Sequence, residues 1–195
     1  TNPAPFTGGS DQEDDASLRS RILESYQRLP NGANAAWYEQ TAMGHEGVAA
    51  ARAVGRARGI GTVDVYIATA AGLPNGTLLA AVQADLQERR EIAVDVQVKA
   101  PAEVEMDVSA ELAVREGADF SAVKAAAEQA LASFFSGRRL GGPVLLAELG
   151  DLLYHVEGVE NYRLLAPAAD LAAEDGTLPM LGRVTVTEME ADDDV

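Results

Sequence analysis

Strict alternation of apolar and polar positions is clearest between residues 103 and 115. The apolar series is Val104, Met106, Val108, Ala110, Leu112 and Val114. It alternates with a mostly acidic series: Glu103, Glu105, Asp107, Ser109, Glu111 and Arg115. A period of two over this length predicts a long β-strand with one buried face and one face in water.

A β-hairpin is predicted in the first half of the chain, where residues 48–57 and 62–67 alternate around a glycine-rich turn. One parity of the first segment is small and apolar: Ala49, Ala51, Ala53 and Ala57. The other parity continues into the turn and is rich in arginine: Arg52, Val54, Arg56 and Arg58. The turn Arg58-Gly59-Ile60-Gly61 supplies glycine where a positive φ is needed.

Apolar residues at helical spacing predict the remaining elements. A first helix follows a capping box of Ser10 and Glu13. Further helices are expected over Asn34–Met43, from Leu79 to Arg90, after the capping residue Asp119, and around Leu149–Val156. Three more strands are expected at Val94–Val98, Val159–Leu165 and Gly182–Thr187.

The chain divides near Pro101, where the pattern changes from an alanine- and glycine-rich hairpin to the long acidic alternation. A Glu-Gly-Val step occurs once in each half, at 46–48 and 157–159. We therefore expect an α+β fold of two small related domains, each a roughly three-stranded sheet with helices packed on one face. The expected boundaries are a linker at 1–9, domains at 10–100 and 101–190, and an acidic tail at 191–195.

Charge and composition exclude several classes of function. The 195 residues include 15 Lys and Arg, 31 Asp and Glu and no cysteine, for a net charge of −16. This charge argues against binding to nucleic acid or to anionic membranes. The absence of cysteine excludes disulfides and cysteine-based sites, and no apolar run approaches the length of a membrane span. Because residue 1 is threonine, we expect a processed chain or a fragment of a longer one.

No motif in the sequence assigns a catalytic, cofactor-binding or metal-binding residue. His45 and His155 are the two histidines, and both precede the repeated Glu-Gly-Val steps, which favours a role at helix ends. Two isolated histidines without cysteine do not make a zinc site. The glycine pairs lack the strand–helix context of a phosphate loop. An enzyme would need a triad assembled only in space.

Three arginines stand out in this acidic chain because Arg52, Arg56 and Arg58 share one parity of the predicted hairpin. Two interpretations are open. The arginines pair with local acids such as Asp64 across the strands, or they form a docking face for an acidic surface on a partner.

Ordered sequence blocks across nearly the whole chain resemble one known family. The blocks are Gly8-Gly9-Ser10-Asp11-Gln12-Glu13, Leu18-Arg19-Ser20-Arg21-Ile22, Gly32-Ala33-Asn34-Ala35-Ala36-Trp37-Tyr38, Gly59-Ile60-Gly61-Thr62-Val63, Val94-Asp95-Val96-Gln97-Val98, Val156-Glu157-Gly158-Val159 and Leu178-Pro179-Met180-Leu181-Gly182-Arg183-Val184-Thr185-Val186-Thr187. They are similar to those of the baseplate J-like proteins of contractile phage tails and related injection machines. One departure is Glu91, where the family often has proline.

The resemblance implies a structural subunit of the baseplate wedge in the virion tail, assembled in the bacterial cytoplasm. It further implies contacts with other wedge and hub proteins, possible self-association, no catalysis and no cofactor. The alternative class of function is a small-molecule-binding α+β regulatory module. That module would show a concave apolar pocket with a few converging polar groups.

Overall fold

The structure is a computed structural model that describes residues 34–189 and five positions nearer the N-terminus. These five positions are all helical: Asp15, Leu18, Arg19, Ile22 and Leu23. The helical state of Leu18 and Ile22 agrees with the predicted first helix. The predicted linker at 1–9, the capping box of Ser10 and Glu13, and the acidic tail at 191–195 lie outside the described residues.

Four α-helices and six strands follow one another within residues 34–189. The helices are α1 (Ala35–Met43), α2 (Gly76–Arg89), α3 (Phe120–Phe134) and α4 (Leu146–Tyr154), with a 3₁₀ turn at Gly137–Arg139. The strands are β1 (Ala50–Gly55), β2 (Thr62–Ala68), β3 (Asp95–Lys99), β4 (Ala102–Val114), β5 (Val159–Ala166) and β6 (Thr177–Glu188). Three helices begin after a side chain that accepts hydrogen bonds from their first turn: Asn34, Asn75 and Asp119.

The strands form two three-stranded sheets that share one pattern of directions. The first sheet has the order β1–β2–β3 and the second has the order β5–β4–β6. In each sheet the central strand has one antiparallel and one parallel neighbour. Together with the four helices, this confirms the predicted α+β class of two small sheet domains.

Each sheet packs one face against its own helices. The first core combines β2 and β3 with α1 and α2, through Tyr38, Ala42, Val65, Ile67, Val82, Leu86 and Val96. The second core joins β4 to α3 and α4, and its members include Met106, Val108, Ala110, Leu112, Val123, Ala127, Leu131, Leu149 and Leu153. The predicted buried series of the long strand is therefore confirmed at its four central positions.

The two sheets meet through a small third cluster of Ala68, Leu140 and Leu178. Gly137 lies so close to β2 that an added Cβ would overlap the carbonyl oxygen of Thr69. Its N–H donates to the carbonyl of Ala70 at 3.3 Å. Glycine at 137 is thus required by the close approach of the two halves of the chain.

Most predicted boundaries shift by one to three residues, and two of the differences, both in strands, change the interpretation. Strand β1 ends at Gly55, and Arg56 already has a φ of 63°, so the hairpin turn begins before Arg58. Strand β6 begins at Thr177 rather than Gly182 and contains Pro179. Proline is accommodated because β6 lies at the sheet edge, where alternate residues need no N–H for the ladder.

Candidate interaction surfaces

Arg52 lies on β1 at the contact between the two halves of the chain. It is paired across the hairpin with Tyr66. A Cβ built on Gly141 would lie 3.0 Å from the Nε of Arg52 and 3.2 Å from its Cγ. The arginine stem therefore packs against the loop before α4.

Arg58 is bound by acidic neighbours in its own sheet. Its Nε lies 2.6 Å from Oδ1 of Asp64, and its other guanidinium nitrogens bind the side chain and the carbonyl of Asp95. Asp64 is only 2% exposed and also receives Lys99 Nζ at 2.5 Å. Burial raises the pKa of Asp64, but the hydrogen bonds from Arg58 and Lys99 outweigh it, so the pKa is lowered.

Arg56 differs from the other two arginines in having no acidic partner, and it is exposed. It lies in the hairpin turn and makes no ion pair with any residue that the structure describes. The structure thus distributes the three side chains over different surroundings: Arg52 contacts the second half of the chain, Arg58 is ion-paired within the sheet, and Arg56 is in water. Arg58 does pair with Asp64, but it does so from the turn and not across the strands. The three arginines do not share one strand face, because β1 ends at Gly55.

The two histidines lie at helix ends, as predicted. His155 is the residue that caps α4, and its Nδ1 lies 2.8 Å from the carbonyl oxygen of Asp151. His45 follows the end of α1, and its Nε2 lies 3.0 Å from Oδ2 of Asp85. Within the described part of the chain, no group of three or more histidine or carboxylate side chains could hold a metal ion.

A shallow cleft next to His45 is the best candidate for a small-molecule site in the described residues. It has a volume of about 260 Å³ and is lined by Thr41, Gly44, His45, Asp85 and Arg89. The side chain of Asp85 is already paired with His45 and with Arg89 Nε at 2.8 Å. The volume lies below the usual range for ligand pockets, and the cleft is largely open to solvent. The cleft therefore gives no support to the regulatory-module alternative.

Both edges of the first sheet are hydrogen-bonded by side chains from its own helices. Oε1 of the buried Glu39, on α1, accepts from the N–H of Ala53 on edge strand β1 at 3.0 Å. On the other edge, Gln83 of α2 accepts from Val98 N at 2.7 Å and donates to Val96 O at 3.0 Å. These groups occupy backbone positions that a foreign strand would otherwise use.

The second sheet is less completely covered. The outer side of β6 is bonded at its start, where Gly141 N donates to Thr177 O at 2.8 Å. The ladder is irregular between Met106 and Val108, and there Asp107 Oδ1 accepts from Arg183 N at 2.7 Å. Further along, Met189 N donates inward to Leu112 O, so Val184 and Val186 direct their backbone groups outward. These groups have no hydrogen-bond partner among residues 34–189.

Sequence reasoning missed Glu39, Gln83 and Asp107 as hydrogen-bonding groups at strand edges. A glutamate or glutamine on a helix looks like any solvated polar residue, and the partners of Glu39 and Gln83 are 14 and 15 residues away in the chain.

None of the described helices has the length and apolar character needed to cross a membrane.

The chain consists of two consecutive sheet-and-helix units, and two family models match these units in the same order. The Baseplate J-like central domain matches residues 30–100. The Baseplate J-like protein C-terminal domain matches residues 106–187. The chain therefore belongs to the baseplate J-like family, which confirms the resemblance carried by its sequence blocks.

Individual relatives extend this result. Baseplate protein J of Escherichia phage P2 is 29% identical over 163 residues, which are 82% of this chain and 54% of that protein. Phage-like element PBSX protein XkdT of Bacillus subtilis (strain 168) is 24% identical over 192 residues, 92% of this chain and 55% of that protein. The chain thus spans about half the length of these relatives.

The fold is shared with a solved baseplate. A chain in the cryo-EM structure of the anti-feeding prophage baseplate matches with a TM-score of 0.59 at 14% identity. The match covers 90% of this chain and 43% of that one. At this level of identity the likeness concerns the fold.

Proposed function

We propose that this chain is a structural component of a contractile-tail baseplate and acts through protein–protein contacts, without catalysis. The observation that supports this most directly is the succession of central and C-terminal baseplate J-like domains along the chain. The described part of the molecule is consistent with it, since the cleft beside His45 is open and, at about 260 Å³, smaller than an ordinary ligand pocket. We therefore expect its contact surfaces to be buried only within an assembly.

The finer proposal is a wedge subunit in the tail baseplate of a virion or related particle, assembled in the bacterial cytoplasm. Its partners would be other wedge and hub proteins and a second copy of itself. Copies with a net charge of −16 repel one another at long range. Association therefore depends on local patches where the charge is reversed or the surface is apolar.

Arg52, Arg56 and Arg58 remain the proposed docking residues, with different contributions. Arg56 is exposed and free to meet a carboxylate on a partner. Arg58 instead holds the turn in place through Asp64 and Asp95. Arg52 fixes the base of the hairpin against the second half of the chain. In this arrangement Arg52 and Arg58 orient the hairpin, and the hairpin presents Arg56.

The test of the function compares particles from cells with and without the chain, using the full-length protein. We expect to find the protein in purified particles from the first cells. Cells without the chain should produce tails that lack a complete baseplate. Normal baseplates in its absence, or turnover of a small-molecule substrate by the purified protein, would contradict the proposal.

Arg56→Glu tests the docking residue within the same assay. Its control is Arg115→Glu, because Arg115 is also exposed and makes no ion pair with any described residue. We expect both variants to fold, since exposed charges contribute little to stability. Only Arg56→Glu should reduce incorporation into particles, and equal incorporation of both would refute the docking role.

A further inference from the structure

Two isoleucine side chains lie almost completely in water at one end of the first sheet. Ile60, in the turn between β1 and β2, is 95% exposed, and Ile92, in the loop between α2 and β3, is 100% exposed. Isoleucine is among the most frequently buried residue types. A single exposed isoleucine is ordinary, but two at the same place form an apolar surface that calls for an explanation.

The two loops are neighbours because β2 and β3 are parallel and both begin at this end of the sheet. The N–H of Asp95 donates to the carbonyl of Gly61 at 2.8 Å. A Cβ added to Gly61 would lie 3.2 Å from the carbonyl oxygen of Ala93. The residues that follow Ile60 and Ile92 in sequence are therefore in contact, so the two exposed isoleucines belong to adjoining loops.

Hydrogen bonds fix the backbone of both loops. In the hairpin turn, Thr62 Oγ1 donates to Gly59 O at 2.7 Å, and Arg58 N donates to the same hydroxyl at 3.0 Å. In the second loop, Nη1 of Arg90 donates to three carbonyl oxygens, those of Glu91, Ile92 and Val94. A surface that is already ordered loses less conformational entropy when it binds a partner.

The charge around these loops differs from that of the whole chain. Arg58 and Lys99 compensate Asp64 and Asp95. Arg90 is followed directly by Glu91. Arg56 remains without an ion pair in the described part of the chain. This end of the sheet is therefore close to neutral and presents one positive side chain, that of Arg56, without an acidic partner among the described residues, whereas the chain as a whole has a net charge of −16.

We propose that Ile60 and Ile92 are the two apolar anchors of a docking surface, here called the isoleucine tip, for another protein of the baseplate. The matching surface on that partner is an apolar pocket bordered by carboxylates, which would receive the isoleucines and pair with Arg56. A membrane is a poorer match, because anionic lipid repels a chain of this charge. The inference rests on the proposed function and adds to it the position and chemistry of one contact.

The test replaces both anchors in the full-length protein, as Ile60→Gln with Ile92→Gln, and measures the copies of the protein per purified particle. The control is Leu165→Gln, which removes an apolar side chain that is 51% exposed on β5. We expect unchanged denaturant midpoints for both variants. Incorporation should fall at least tenfold for the double variant only.

A photo-reactive amino acid at position 60 or 92 identifies what the tip contacts in assembled particles. Cross-links to a different protein, at a segment with apolar and acidic residues, would support the proposal. Normal incorporation of the double variant, cross-links only to a second copy of this chain, or binding of the wild type to phosphatidylglycerol vesicles that the double variant loses would overturn it. If the wild-type protein is absent from particles, the proposed function itself is contradicted. If the wild type is present and the double variant is incorporated normally, only the isoleucine tip is contradicted.

Discussion

The two sheets have the same arrangement of strand directions but protect their edges differently. The first sheet has a helix side chain bonded to the backbone of each edge strand, Glu39 on β1 and Gln83 on β3. The second sheet has an edge strand, β6, whose backbone groups at Val184 and Val186 have no partner among the described residues. The comparison shows that the same strand pattern can have a helix side chain bonded to each edge strand in one sheet and an edge stretch without such a bond in the other.

We propose that this difference gives each sheet its own means of contact. The first sheet, bonded by its own helices at both edges, would meet neighbours through its loops, where Arg56, Ile60 and Ile92 are exposed. The second sheet offers backbone groups and a helix-free face that carries Glu103, Glu105 and Glu111. A subunit that contacts several different neighbours needs such distinct surfaces, because specificity requires that each partner fits only one of them.

The largest effect is expected for Val108→Asp in the second sheet. Val108 is 1% exposed in the core between β4 and its helices. An unpaired carboxylate there costs several kcal/mol, which is comparable with the whole stability of a small domain. The control is Glu105→Ala on the exposed face of the same strand, expected to change stability by less than about 0.5 kcal/mol. Denaturant midpoints check both values.

The same variant tests the proposed division of the chain near Pro101. If the two domains are separable, hydrogen exchange should show that amides of β2 in Val108→Asp stay protected while those of β4 lose protection. Loss of protection in both sheets at once would contradict the division.

Asp107→Ala should lower the unfolding free energy by about 1 kcal/mol, between the effects of Val108→Asp and Glu105→Ala. It removes the hydrogen bond to Arg183 N, and denaturant midpoints measure the loss.

An effect of about 3 kcal/mol at neutral pH is expected for Asp64→Asn, which leaves Arg58 and Lys99 without their shared carboxylate. The pKa of Asp64 is lowered in the folded protein, so the unfolded chain binds more protons in acid. The carboxylate therefore stabilises the fold above the ordinary aspartate pKa of about 3.9, and this contribution is lost as the pH falls below that value.

Urea unfolding of the wild type and Asp64→Asn at several pH values checks this sign. The difference in unfolding free energy should be full at pH 7 and should shrink below about pH 4. Asp95→Asn is the control, since the side chain of Asp95 is 61% exposed and its pairing with Arg58 contributes less than about 1 kcal/mol. A difference that stays constant down to pH 3 would show that the carboxylate charge is not what matters.

The local pattern of apolar and polar residues predicted much of this fold. Features that depend on contacts between residues far apart in the sequence could not be predicted from it. Alternation identified the buried positions of β4 because one-sided burial imposes a period of two on the sequence. The alternation does not reveal the positive φ of Arg56 or the irregular strand pairing near Asp107. The first shortens the predicted strand, and the second gives an apparently solvated carboxylate a backbone partner.

The candidate docking residues show the same limit. Parity placed Arg52, Arg56 and Arg58 together, but parity holds only while a strand continues, and β1 ends at Gly55. The exposure of Ile60 and Ile92 depends on whether other residues pack over their loops, and the residue type alone does not reveal this. Local sequence therefore predicted the elements, whereas the surfaces available to partners follow from packing between them.

A smaller effect than that of Asp64→Asn is expected at the edge of the first sheet, for Gln83→Met. Methionine keeps the length and helix propensity of glutamine but removes both hydrogen bonds to β3. We expect a loss of about 1–2 kcal/mol in unfolding free energy. Gln87→Met is the control on the same helix, because Gln87 is exposed, and it should change stability by less than about 0.5 kcal/mol.

The same pair of variants tests whether the Gln83 side chain also prevents unwanted strand pairing. Without it, Val96 O and Val98 N on β3 become free to pair with another chain, so Gln83→Met should self-associate at concentrations where the wild type and Gln87→Met do not. Sedimentation velocity at increasing protein concentration measures this. If Gln83→Met loses stability but sediments like Gln87→Met, the side chain only holds β3 to α2 and does not prevent strand pairing at that edge.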